Sequence, residues 1–156
     1  MGPTTIDGLP AHPLLVHLVV VAVPVAAVLL LLVVLWPAAR RINLVAVAIS
    51  VLALISVQLT IQAGNWLYDR IFRTPLIDEH AAAGADLRPW SIAVCVIAVA
   101  WWLVHSGRLR LGSGLRKGIA VALAVAAVVA AVGSVVQVYR IGDSGARAVW
   151  TGVVAP

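Results

Sequence analysis

Four long runs of apolar residues dominate the 156-residue chain and leave it few possible folds. They cover residues 14–36, 42–63, 88–105 and 115–141. A bilayer core is about 30 Å thick, which a helix crosses in roughly 20 residues at about 1.5 Å each. Hydrophobic residues make up 63% of the chain and charged residues 11%, with a mean hydropathy of +1.08. A soluble domain of this size could not hide so much apolar surface. In lipid every backbone N–H and C=O has to be paired within the protein, so spanning segments are helices or parts of closed barrels. Barrel strands alternate in polarity and these runs do not. The sequence therefore predicts an all-α protein, a four-transmembrane-helix bundle with up-down-up-down topology, forming a single membrane domain over residues 1–156.

The boundaries follow from local chemistry. Pro24 removes a hydrogen bond inside the first span and should kink it, and Pro37 with Arg40 and Arg41 ends it. Gly64-Asn65 reads as the stop of the second span. Thr74-Pro75 reads as an N-cap followed by proline at the first helical position, which would extend the third span upward. The fourth span is the longest and is expected to tilt or protrude. Residues 66–72 read as a short helix lying on the membrane surface. Gly118, Ala122, Ala126, Ala130 and Ser134 form a stripe of small residues four apart, a candidate packing face.

Orientation follows from Arg and Lys in short loops. Arg40 and Arg41 follow the first span, and Arg108, Arg110, Arg116 and Lys117 follow the third, with no acid in either loop. The second loop mixes Arg70, Arg73 and Arg88 with Asp69, Asp78, Glu79 and Asp86. The two basic loops are thus expected to be cytoplasmic and both termini extracytoplasmic, in a bacterial cytoplasmic (inner) membrane. Trp36, Trp101 and Trp102 fall at the expected inner ends, and Trp66 and Trp90 at the outer ends, where amphipathic rings favour the interface. The first residues lack the basic region of a cleaved signal, and Ile6 stands where a myristoylation pattern needs Ser or Thr. The single cysteine, Cys95, excludes an intrachain disulfide.

Polar residues concentrate towards the outer end. Gln58, Gln62, Asn65 and Asp69 are spaced so as to share one face of the second helix. Gln137, Tyr139 and Arg140 lie at the outer end of the fourth. Polar side chains are costly in hydrocarbon, so they are expected to face the bundle interior or a wet cavity. Three histidines, His12, His17 and His80, also fall on this side, whereas His105 lies beside a basic loop. Neutral imidazole ligates heme iron and transition metals. The first and third helices of such a bundle are diagonal, and bis-histidine heme b needs imidazoles on opposite faces of the porphyrin. If residues 80–90 are one helix, however, His80 stands roughly 15 Å above Trp90. His12 is nearer in height, so a surface metal site using His12 and His80 with Asp78 or Glu79 is a second arrangement.

Other chemistry is missing. The sequence holds no Gly-rich phosphate loop, no CxxC and no acid or base deep within a span. Independent catalysis is not expected, and nothing points to nucleic acid.

The segment Gly8-Leu9-Pro10-Ala11-His12-Pro13-Leu14-Leu15-Val16-His17 resembles the HPxxVH opening of the DUF2231 family of predicted bacterial membrane proteins. Gly142-Asp143-Ser144-Gly145-Ala146-Arg147-Ala148-Val149-Trp150 is similar to its GxSGAxxxW tail, and Ala63-Gly64, Asp69 and His80 resemble its central region. Where that family has an aromatic–proline pair, this chain has Leu18-Val19-Val20. The resemblance implies a four-helix membrane module without an assigned activity. Some members look fused to Rieske or cytochrome-type domains, which implies a place near electron transfer and favours His12, His17 and His80 as heme or metal ligands. The expected function is that of a small subunit or partner of a membrane complex, in contact with lipid and with other membrane subunits or copies of itself, carrying heme b or a transition metal. The alternative is a purely structural, partner-binding subunit without a cofactor.

Overall fold

The computed structural model describes residues 4–153. A two-stranded hairpin, β1 (Thr5–Ile6) and β2 (Leu9–Pro10), leads into α1 (His12–Leu35). A short 3-10 segment (Pro37–Ile42) turns the chain into α2 (Asn43–Tyr68). Next come α3 (Pro75–Ala85), α4 (Leu87–His105) and α5 (Ser113–Trp150). Four helical stretches are long and apolar enough to cross a membrane: His12–Leu35, Pro37–Tyr68, Pro75–His105 and Ser113–Trp150.

Around the bundle α1 packs on α2, α2 on α4, α4 on α5 and α5 back on α1, so α1 and α4 lie on a diagonal. The N-terminal end of α1 meets the C-terminal part of α2, and its C-terminal end meets that of α4. Successive spans thus run in opposite directions. Val23, Ala26, Leu30, Val33, Val57, Ala98, Ala127 and Ala130 are all buried in the shared core. Valines and leucines elsewhere on the helices, such as Val21, Val28, Leu52, Val96 and Val125, stay exposed. An apolar exterior of that extent is suited to lipid, not to water.

Several boundaries differ from the sequence expectation, each for a physical reason. Gly64 does not stop α2, which runs on to Tyr68 and absorbs the start of the expected surface helix at 66–72. Its missing side chain serves packing instead, since a Cβ there would stand 2.9 Å from the His12 ring. The fourth helix continues nine residues past the expected end at 141, through Gly142 and Gly145, to Trp150. Thr74 does cap α3, accepting a hydrogen bond from the Ile77 N–H at 3.3 Å.

Trp101 is not an interfacial residue. It is 3% exposed, and its Nε1–H donates to the Val33 carbonyl across the bundle diagonal at 3.1 Å. An indole can be buried because its one polar atom has a partner there. The small-residue stripe on α5 enters the core only in part. Ala130 and Ser134 are buried, but Gly118 and Ala122 are exposed. A four-residue repeat drifts by about 40° per step around a helix of 3.6 residues per turn. The buried face instead follows Ala127, Ala130, Ala131, Ser134, Gln137 and Val138.

The polar stripe on α2 also turns away from the core. Gln62, Asn65 and Asp69 are exposed and Gln58 is half-buried. The buried face holds Ala53, Ser56, Val57, Thr60 and Ala63. Its hydroxyls cost little to bury, because Ser56 donates to the Ala53 carbonyl and Thr60 to the Ser56 carbonyl, at 2.8 and 2.7 Å.

Candidate functional site

Two histidines 68 residues apart in the chain meet at one end of the bundle. The His12 and His80 ring centres are 6.1 Å apart, with their planes at 74°. His12 is the first residue of α1. The hairpin before it places it there: Asp7 and Gly8 adopt positive φ angles of 49° and 79°, as a tight two-residue turn requires. The Ala11 N–H then donates back to the Thr4 carbonyl at 3.0 Å.

His80 comes from α3, a helix separate from α4, whose break falls at Asp86. Four contacts hold α3 against the bundle end. Tyr68 donates to Asp78 at 2.7 Å, and Arg147 to Glu79 at 3.0 Å. His80 meets Ser144, and Gln137 Nε2 donates to the Ala83 carbonyl at 2.7 Å. Exposed ion pairs contribute little, whereas the buried Gln137 contact is costly to leave unmade. The depth mismatch expected for one continuous helix is overcome because α3 packs along α5 and delivers His80 beside His12.

The hydrogen bonds assign a tautomer to each ring. His12 Nδ1 lies 3.1 Å from the Thr60 carbonyl, which can only accept, so Nδ1 carries the hydrogen. His80 Nδ1 lies 3.2 Å from Ser144 Oγ, whose own hydrogen is donated to the Ile141 carbonyl at 3.1 Å. That leaves the hydroxyl as an acceptor, so His80 Nδ1 also donates. In the neutral rings both Nε2 atoms are then left with lone pairs. Metal-binding histidines are commonly oriented in this way, with the second nitrogen donating to a carbonyl or similar acceptor.

Each ring is also seated over a glycine. A Cβ at Gly64 would stand 2.9 Å from His12 Nδ1, and one at Gly145 would stand 3.0 Å from His80 Cε1. The backbones of α2 and α5 thus approach the two imidazoles more closely than any other residue would allow.

His17 does not join this pair. It is exposed, and its Nδ1 donates to the Pro13 carbonyl one turn back, at 2.7 Å. Asp78 and Glu79 are taken up by Tyr68 and Arg147, so the surface set of two histidines and a carboxylate is not assembled. Among the described residues no group of three or more His, Cys, Asp or Glu is disposed to hold a metal ion. Of the expected polar cluster, Gln137 is buried and ties α5 to α3, while Gln62, Asn65 and Asp69 lie on the exposed face of α2. Thr60, Ser144 and the seating role of the two glycines were not identified from sequence. The Ser144-Gly145 dipeptide within the tail motif was the available signal, as was Asp7-Gly8 for the hairpin.

A family model described as a predicted membrane protein, DUF2231, matches residues 8–155. No curated protein and no solved structure matches.

Proposed function

The chain belongs to the DUF2231 family of predicted membrane proteins, and from its geometry we propose that the His12–His80 pair ligates the iron of heme b for electron transfer with a partner membrane subunit. The observation that carries this reading is the convergence of two imidazoles with both Nδ1 atoms occupied as donors and both Nε2 atoms left with lone pairs. The donor set suits that group. A structural zinc site needs four protein ligands, whereas a heme iron could be held by His12 and His80 alone, because the macrocycle brings its own nitrogens. His12 and His80, with ring centres 6.1 Å apart, are near enough that both could hold one iron. When bound, such an iron supplies one-electron chemistry. The chain's own contribution is to orient both rings through Thr60 and Ser144 and to seat them against Gly64 and Gly145.

The proposed setting is a bacterial cytoplasmic membrane, with the histidine end extracytoplasmic. Support comes from charge: Arg40, Arg41, Arg108, Arg110, Arg116 and Lys117 lie at the opposite end, and all six acidic residues lie in segments at the histidine end.

The optical spectrum of the purified protein tests the reading. A Soret band should be present, lost in His12→Ala and His80→Ala, and kept in His17→Ala. A colourless, metal-free preparation would refute it. The two histidines would then be ties between helices, as in a purely structural subunit, and His80→Gln, which keeps a donor, would retain wild-type stability.

A further inference from the structure

The opposite end of the bundle holds a second concave site. A cavity of about 610 Å³ opens among Arg40, Asn43, His105, Ser113, Arg116 and Lys117. These residues come from the 3-10 segment, α2, α4 and α5, so the site depends on the folded bundle and not on one loop.

The charge of this cavity favours an anion. Arg40, Arg116 and Lys117 are cationic, and none of the chain's six acidic residues lines the cavity. The three ion pairs among the described residues, Arg73–Asp69, Arg147–Glu79 and Arg147–Asp143, are all at the histidine end. Two helices begin here. Ser113 opens α5 without a side-chain cap, whereas the Asn43 N–H that opens α2 already donates to the Arg40 carbonyl. The unpaired N–H groups of a first helical turn bear a partial positive charge and donate readily to oxyanions.

The site is also framed. His105 is fixed by its Nδ1–H to the Trp101 carbonyl at 3.0 Å, and its ring lies 4.2 Å from that indole, centre to centre. The Arg40 guanidinium lies 5.6 Å from the same indole. Arg108 leaves the cavity to stack on Trp102 at 4.7 Å, and Arg110 does not line it. The six basic residues of this end therefore divide into those that converge and those that do not.

We propose that this cavity binds a phosphate group, and that its source is the headgroup of an anionic phospholipid. Lipid is favoured over a soluble phosphate because the cavity lies at the ends of membrane-spanning helices, at headgroup level. Basic pockets between spanning helices bind acidic headgroups through the same chemistry. A smeared positive-inside charge would need no cavity and would treat the six basic residues alike.

The experiment compares two double variants of equal charge. Wild type, Arg116→Gln/Lys117→Gln and Arg108→Gln/Arg110→Gln are placed in nanodiscs of phosphatidylglycerol or phosphatidylcholine, and retained lipid is counted by native mass spectrometry. Wild type should keep phosphatidylglycerol over phosphatidylcholine. The Arg116/Lys117 variant should bind it about thirtyfold more weakly, and the Arg108/Arg110 variant at most a few-fold more weakly. Helical content by circular dichroism confirms that each variant is folded. A third arm adds inorganic phosphate to lipid-free protein in detergent. Protection at millimolar phosphate that depends on Arg116 and Lys117 would support the phosphate site and assign its source to solution. Equal losses in both double variants, or no preference for phosphatidylglycerol in wild type, overturns the proposal.

Discussion

Gly133→Ala should loosen the contact between α4 and α5, and its cost can be worked from the geometry. A Cβ added at Gly133 would stand 2.3 Å from Cζ3, 2.4 Å from Cη2 and 2.6 Å from Cε3 of Trp90. Carbon atoms rest at about 3.5–4.0 Å, so the indole or the whole helix must move by more than about 1 Å. Overpacking of this kind costs about 1–3 kcal/mol. Against it stands the gain of about 0.5–1 kcal/mol from replacing glycine in a helix. That gain is shared by Gly118→Ala and Gly142→Ala on the same helix, where a Cβ would meet nothing within 4 Å. The gap between Gly133→Ala and these controls therefore isolates the packing cost, about 1–3 kcal/mol. Unfolding by sodium dodecyl sulfate in mixed micelles, followed by circular dichroism, measures it. In a Trp90→Ala background the gap should close, because the ring is no longer there to be displaced. A Gly133→Ala protein as stable as the two controls, or a gap that persists without Trp90, would refute the reasoning. The contact also bears on the histidine site. Gln137, one turn beyond Gly133 on α5, holds α3 through the Ala83 carbonyl, so moving α4 away from α5 disturbs the helix that carries His80.

Three further outcomes are expected. Ser144→Ala removes the acceptor for His80 Nδ1, so any metal or heme should be held about 10–100-fold more weakly, as titration followed by absorbance would show, with helical content unchanged. Trp101→Phe keeps an aromatic ring but loses the bond to the Val33 carbonyl and part of the buried indole; leaving that acceptor unpaired should cost about 1–3 kcal/mol in the same unfolding assay, with the lost volume adding to it. Thr74→Ala removes the α3 cap at a cost of about 1 kcal/mol, and hydrogen exchange should quicken in residues 75–85 while the spans stay protected.

The spans were legible because lipid imposes a single rule on them. A run of some 20 apolar residues without charge has one economical structure in a bilayer, and residues 14–36 need no tertiary partner to declare it. The α3 cap at Thr74-Pro75 was equally local, since it depends on one side chain and one proline. Gly64 looks like a stop for the opposite reason. Within its own helix it has the properties of a stop, and only the His12 ring, 52 residues away, shows why the chain continues through it. Its position at a span end puts Trp101 at the interface, where indoles usually lie, but the carbonyl that permits its burial belongs to α1. The polar residues on α2 share a face, as their spacing predicted, yet spacing cannot say which face meets the neighbours.

The sequence by itself determined that this protein has four helices long and apolar enough to cross a membrane, and that all its acidic residues lie at one end while the loops at the other are basic and free of acid. Both follow from composition and from distances measured along the chain. Tertiary structure alone decided that His12 meets His80 while His17 faces outward, and that four separate elements build one basic cavity. Those outcomes depend on helix rotation and on the path of α3 along α5. Both are set by side-chain packing between segments distant in sequence, which no local pattern of residues encodes.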